Sequence, residues 1–168
     1  EEYRRVEEAA VYNAAYRDRL FKRASTNREF ALLRGLLATQ GRTDILLNLP
    51  AGGGRLSAPL AETTAFLVEA DIALGQLVYS QQNSHIPVPH AYMTASGFHI
   101  PFKDRSVDGV VSIRLCHHLP TEEERERLIT ELLRVARRFV IMTFFDYHSV
   151  KNLLRRMTRP LNHKPPKM

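Results

Sequence analysis

Segment 44–71, DILLNLPAGGGRLSAPLAETTAFLVEAD, sets a glycine-rich turn between two apolar runs and closes on a carboxylate. Gly52, Gly53 and Gly54 allow a sharp turn and let a ligand reach the backbone without a Cβ in the way. Asp71 follows Gly52 by nineteen residues, the separation at which an acid meets ribose hydroxyls in a nucleotide-binding βαβ unit. Plainer roles stand beside these. The glycines could make an ordinary strand-to-helix turn, and Asp71 could cap the helix that begins at Ile72 while also binding a ligand. His117 and His118 are the candidate proton acceptors, because a histidine titrates near neutrality; as capping or packing residues they would do no chemistry. The seven histidines form no helix-spaced pair beside a carboxylate, and Cys116 is the only cysteine, so no metal site and no intrachain disulfide are predicted.

Alternating strands and helices must hold these groups. Apolar residues at mostly helical spacing from Arg4 to Gln40 predict two N-terminal helices, with a break near Ser25-Thr26-Asn27 and a stop at Gly41. Tyr12 and Tyr16 lie one turn apart on the first. Ile45–Leu49, Ala65–Glu69, Ala91–Ala95, Asp108–Arg114 and Phe139–Phe144 read as five strands, the fourth apolar enough to be covered on both faces. Arg55–Glu62 and Ile72–Gln82 read as helices. Thr121 and Glu124 form a capping box that opens an amphipathic helix through Arg137. A last helix is expected over Ser149–Met157, and Phe144, Phe145, Asp146, Tyr147 and His148 could wall a second ligand's pocket. The expected fold is α/β, a doubly wound and mainly parallel sheet with N-terminal helices. One domain is expected: N-terminal helices over 1–42, a binding core over 43–146, and a helix with a basic tail over 147–168.

The net charge of +6 is local. Residues 151–168 hold six basic side chains and no acid, from Lys151 to Lys167, so the other 150 residues balance 18 basic against 18 acidic. Nucleic acid is therefore not the expected partner, although the tail could meet a polyanion. No stretch is apolar enough to span a membrane and no signal peptide is evident, which predicts a cytoplasmic protein.

The block IPFKDRSVDGVVSIR at 100–114 runs into LCHHLPTEEERERLITELLRVARRFVIMTFFD, and with LNLPAGGGR before it the order resembles the class I methyltransferases that use S-adenosylmethionine. The resemblance spans about residues 44–146 and implies a Rossmann-like sheet of order 3-2-1-4-5. It further implies that Asn48, Pro50, Ala51, Gly52 and Gly54 wrap the methionine end of the cofactor. Asp71, with Ile72 beside it, would hold the ribose, and Ser96, Gly97 and Phe98 the adenine. Arg114 and Leu115 would line the pocket, and His117 and His118 would face a small or medium-sized methyl acceptor. The product would be S-adenosylhomocysteine. Two departures stand out: the family usually has acids where this chain has Asn48 and Ser96. The family normally adds two more strands after strand five; none is expected in the residues that follow here, which would leave an edge open to self-association or to a partner unless the sequence is truncated. The alternatives are a degenerate methyltransferase fold used as a binding or scaffold module, and an NAD-binding Rossmann domain. The latter is weakened by Ser57 where a third glycine belongs.

Overall fold

The computed structural model describes residues 20–144, with side chains described from residue 27. Its elements are α1 (Leu20–Gln40), β1 (Thr43–Asn48), α2 (Ser57–Ala61), β2 (Thr64–Asp71), α3 (Leu74–Asn83), β3 (His90–Thr94), β4 (Val107–Ser112), a 3₁₀ turn (Cys116–His118), α4 (Glu122–Val135) and β5 (Ala136–Met142). The five strands form one parallel sheet in the order β3-β2-β1-β4-β5. Order and direction agree with the sequence-based expectation.

Successive residues of a strand point to opposite faces, so the central strands must be apolar on both. On one face Leu47, Leu49, Val68 and Val110 pack with Leu128, Leu132 and Val135 of α4. On the other, Leu46, Leu67 and Val111 pack with Leu33 and Leu37 of α1 and Leu60 of α2. The start of β1 is fixed across the sheet. Asp108 accepts the Asp44 and Ile45 amides at 2.7 and 3.1 Å and also pairs with Arg137. Burial works to raise its pKa, but Arg137 and the two amides outweigh it and hold the carboxyl below its ordinary value.

Several predicted boundaries are corrected. The chain does not break at Ser25-Thr26-Asn27; α1 runs through them as one helix of 21 residues. Each short polar residue costs a helix interior only about 0.5 kcal/mol, less than the burial of Leu33 and Leu37 downstream returns. Gly41, with φ of +68°, then ends the helix as expected. Helix α4 stops at Val135 rather than Arg137, and β5 starts at once. Arg137 and Arg138 are tied sideways to Asp108 and to the Gln40 carbonyl, which suits a strand and not another helical turn. The capping box forms as predicted: Glu124 N–H donates to Thr121 Oγ1 at 3.2 Å, and Thr121 N–H donates to Glu124 Oε2 at 3.3 Å. Tyr12, Tyr16, residues 145–148, the predicted helix over Ser149–Met157 and the basic tail lie outside the described residues.

Candidate functional site

A cavity of about 520 Å³ opens at the carboxyl ends of β1, β2 and β4, where open α/β sheets bind ligands. Its first wall is the glycine turn. Gly52 (φ +55°) borders the cavity and has open space where a Cβ would stand, so a ligand can approach its Cα closely. Asp71 ends β2 and grips that turn. Its Oδ2 accepts Gly52 N–H and its Oδ1 accepts Ala73 N–H, both at 2.8 Å. Each carboxylate oxygen keeps further acceptor capacity for a ligand hydroxyl. Burial pushes the Asp71 carboxyl up, and the amides of Ala73, Gly52 and Ile72 oppose it. Asp71 thus binds the turn and the first residues beyond β2 together, but it does not cap the helix as expected: α3 begins only at Leu74, with Ala73 at its N-cap and no side-chain capping bond, so the carboxylate closes a local turn onto Ala73 N–H instead.

The second wall comes from the segments after β3 and β4. Gly97 is closely packed: a Cβ would fall 2.8 Å from Leu128 Cδ1, so any larger residue would push that side chain aside. Phe98 N–H donates to Ser96 Oγ at 3.2 Å, and the Arg127 guanidinium lies 5.2 Å from the Phe98 ring centroid. The loop continues into Ile100, whose N–H donates to Glu131 Oε1 at 2.7 Å. Arg134 donates to the Ile100 and Phe102 carbonyls, at 2.9 and 2.8 Å, and to Glu131 and Asp104. Arg134 first, with the Ile100 amide, holds the Glu131 carboxyl down at about 2, against burial.

Between the walls sits Glu29 of α1. Its carboxylate takes Arg55, just past the glycine turn, at 2.9 Å and Arg114, just past β4, at 2.6 Å. Arg114 has φ of +64°, a left-handed conformation uncommon outside glycine, and its N–H donates to Thr143 Oγ1 at 2.8 Å. His117 and His118 follow on the 3₁₀ turn, ring centroids 4.2 Å apart. Burial lowers the His117 pKa, and the neighbouring His118 and Arg114 lower it further. A neutral imidazole, able to accept a proton, is thereby favoured.

Pro50, Ala51, Gly52, Asp71, Ile72, Ser96, Gly97, Phe98, Arg114, Leu115, His117 and His118 all border this one cavity. Three sequence-based expectations miss it. Asn48 is wholly buried and gives its Nδ2 to Glu69 Oε2 at 2.6 Å. Gly54 turns away onto α3, where a Cβ would fall 2.0 Å from Ser84 Oγ and 2.3 Å from Ser80 Oγ, so its smallness serves helix packing. Phe144 is 74% exposed and lies off the wall. Sequence reasoning passed over Glu29, Arg55, Glu69, Gln76 and Glu131. Arg55 and Gln76 line the cavity, and an arginine directly after the glycine turn was the one available signal. Among the described residues no cluster of three or more His, Cys, Asp or Glu side chains is placed to hold a metal ion, and no helix is long and apolar enough to cross a membrane.

A parallel sheet with its cavity where the strand order reverses, and a carboxylate at the end of β2 gripping a glycine turn, define a doubly wound domain built to bind a nucleotide-type ligand. Residues 47–144 match the family described as a methyltransferase domain, and the chain belongs to that family. It is 40% identical over 67 residues to a demethylmenaquinone methyltransferase of Corynebacterium urealyticum, a match covering 40% of this chain and 27% of that protein. The matched stretch is thus about a quarter of that relative's length. The fold is similar to magnesium protoporphyrin IX methyltransferase of Synechocystis PCC 6803, solved with bound SAH (TM-score 0.73, 20% identity, 88% of this chain and 69% of that one). It is also similar to an SAM-dependent methyltransferase of Methanosarcina mazei (TM-score 0.58, 20% identity, 69% and 59% of the two chains).

Proposed function

We propose that this chain binds S-adenosylmethionine in the cavity and transfers its methyl group to a small or medium-sized acceptor. The observation that carries the reading is Asp71, whose carboxylate braces the Gly52 amide while keeping acceptor capacity toward the cavity. Bound there, the cofactor supplies an electrophilic methyl on a sulfonium. The residues provide positioning, which dominates the barrier of an in-line displacement. Pro50, Ala51 and Gly52 offer backbone to the methionine end, Asp71 and Ile72 flank the ribose, and Ser96, Gly97 and Phe98 form an adenine slot. Arg114 and Leu115 close the end of β4. His118 or His117, on the 3₁₀ turn beside Arg114, would take the acceptor's proton as the methyl is transferred.

Apolar walls from Leu49, Leu56, Ile113 and Leu119 favour an acceptor with an apolar body. The curated relative, named for a demethylated quinone, supports a ring-shaped acceptor of that kind.

Melting the protein with S-adenosylhomocysteine, S-adenosylmethionine and NAD in parallel tests the reading. The first two should raise the melting midpoint and NAD should not. Protection by NAD alone would overturn it in favour of a nicotinamide site.

A further inference from the structure

The Asn48–Glu69 pair has no part in the reading above, although it stands directly behind the glycine turn. Both side chains are 0% exposed and occupy facing positions of β1 and β2, with Tyr92 of β3 next in the same row. Their contact, Asn48 Nδ2 to Glu69 Oε2, is 2.6 Å. Around it, Asn48 Oδ1 is buried without a hydrogen bond among the described residues, and Glu69 has the Ser57 hydroxyl as its only other polar side-chain neighbour there drawing its pKa down by hydrogen bonding. A charge placed there at such expense of solvation calls for a partner beyond the pair itself.

The distance admits two arrangements. Bonds from N–H to oxygen usually span about 2.7–3.2 Å and those from O–H to oxygen about 2.5–3.0 Å. The carboxylate can accept from the Asn48 amide N–H, or the acid, with the amide turned over, can donate its O–H to the Asn48 oxygen. The two are almost identical in shape and differ by one unit of charge. That charge lies two residues before Asp71 on the same face of β2, about 6.6 Å along the strand. Asp71 in turn holds Gly52 at the cavity wall.

The groups facing Glu69 leave it close to balance. Burial pushes its carboxyl up to about 7; Ser57 on α2 and Asn48 on β1 pull it down, as does His90 on β3, while the like charge of Asp71 raises it. Tyr92 on β3 adds a buried hydroxyl that is itself held neutral by desolvation.

We infer that Asn48 and Glu69 form a proton-linked charge switch behind the glycine turn: the ionised carboxylate strengthens the cavity's hold on a cationic ligand, and its protonation relaxes that hold once the positive charge is gone. The inference rests on the assignment of S-adenosylmethionine to this cavity. The sulfonium form carries one positive charge more than the thioether product, and both share the same ammonium and carboxylate. Binding the sulfonium form sends the Glu69 proton to solvent; the product form lets a proton return. Glu69 acts through the field behind the wall, as a positioning residue.

Calorimetry of both cofactor forms from about pH 5.5 to about pH 8.5 tests this. The ratio of their affinities cancels titration of the shared ammonium. For the wild-type protein the ratio should rise in favour of S-adenosylmethionine by roughly fivefold to tenfold as pH passes through 7, the size of a pKa displaced by somewhat under one unit. Glu69→Gln should give a flat ratio near the wild-type low-pH value. A flat wild-type ratio overturns the inference without recourse to any variant. A slope that survives Glu69→Gln also overturns it, because another group would then be titrating. Wild-type protein that binds neither form at any pH removes the cofactor assignment, and this inference with it.

Discussion

The two walls of the cavity are held by different physics. On the β1–β2 side a buried carboxylate takes backbone N–H donors directly: Asp71 is 6% exposed and fixes Gly52 and Ala73 with one oxygen each. On the β4–α4 side the loop from Ser96 to Phe102 is fixed at longer range by Arg134 and Glu131, with Arg134 31% exposed. A buried charge that loses its partners is costly, whereas an exposed ion pair is screened by water and salt. The first wall should therefore be stiff and intolerant of substitution. The second should yield by degrees, which suits a slot that has to admit and release the adenine end of the cofactor.

Substitutions can break this contrast, beginning with the largest. Asp71→Ala removes the acceptor of two amides and should cost about 2–4 kcal/mol in denaturant unfolding, with at least a hundredfold loss of S-adenosylhomocysteine affinity by calorimetry. Near-normal binding would deny Asp71 its place in the first wall. Glu69 comes next, and the sign follows from its raised pKa. Between an unfolded value near 4.5 and a folded value of about 7 the native state holds a proton that the unfolded chain has lost. This stabilisation is complete below about 4.5 and is lost as pH rises through 7, about 3 kcal/mol in all, and Glu69→Gln should abolish that slope in unfolding measured against pH.

The glycine turn itself sharpens the contrast. Gly54→Ala meets both a positive φ and two serine hydroxyls, and should destabilise by about 2 kcal/mol. Gly52→Ala meets only the positive φ and should cost about 1 kcal/mol, yet weaken cofactor binding more, since its new methyl faces the ligand. Equal effects on binding would erase the distinction between them. In the second wall, Arg134→Met should lower cofactor affinity by only roughly three- to tenfold, the worth of one or two weakened hydrogen bonds, and speed hydrogen exchange at the Ile100 amide. Smallest of all, Glu62→Ala breaks a half-exposed pair with Arg34, far from the cavity, and should leave both the melting midpoint and binding unchanged.

The first wall was largely legible in the sequence because its parts are local and periodic. A glycine run between apolar strands, followed at fixed separation by an acid, needs few long-range facts to interpret. The strand order followed from alternating elements and from the family resemblance. What escaped was whatever depends on side chains far apart in the chain. Glu29 meets Arg114 across 85 positions, and Glu131 meets the Ile100 amide across 31. Glu69 read as one more residue of an apolar strand, and only the register that sets it beside Asn48 reveals a buried pair. The false break at Ser25-Thr26-Asn27 shows the reverse error, a local capping signal overruled by packing downstream on the same helix.

Glu29 carries one more consequence. Its Oε1 takes Arg55 and its Oε2 takes Arg114, with a second, longer bond from Arg55, so one side chain of α1 braces both walls. Force applied at either wall is delivered to the other through a single carboxylate. A ligand that draws one arginine inward reweights the bond to its counterpart, so the two halves of the cavity report to one fulcrum on a helix that comes before them both in the chain.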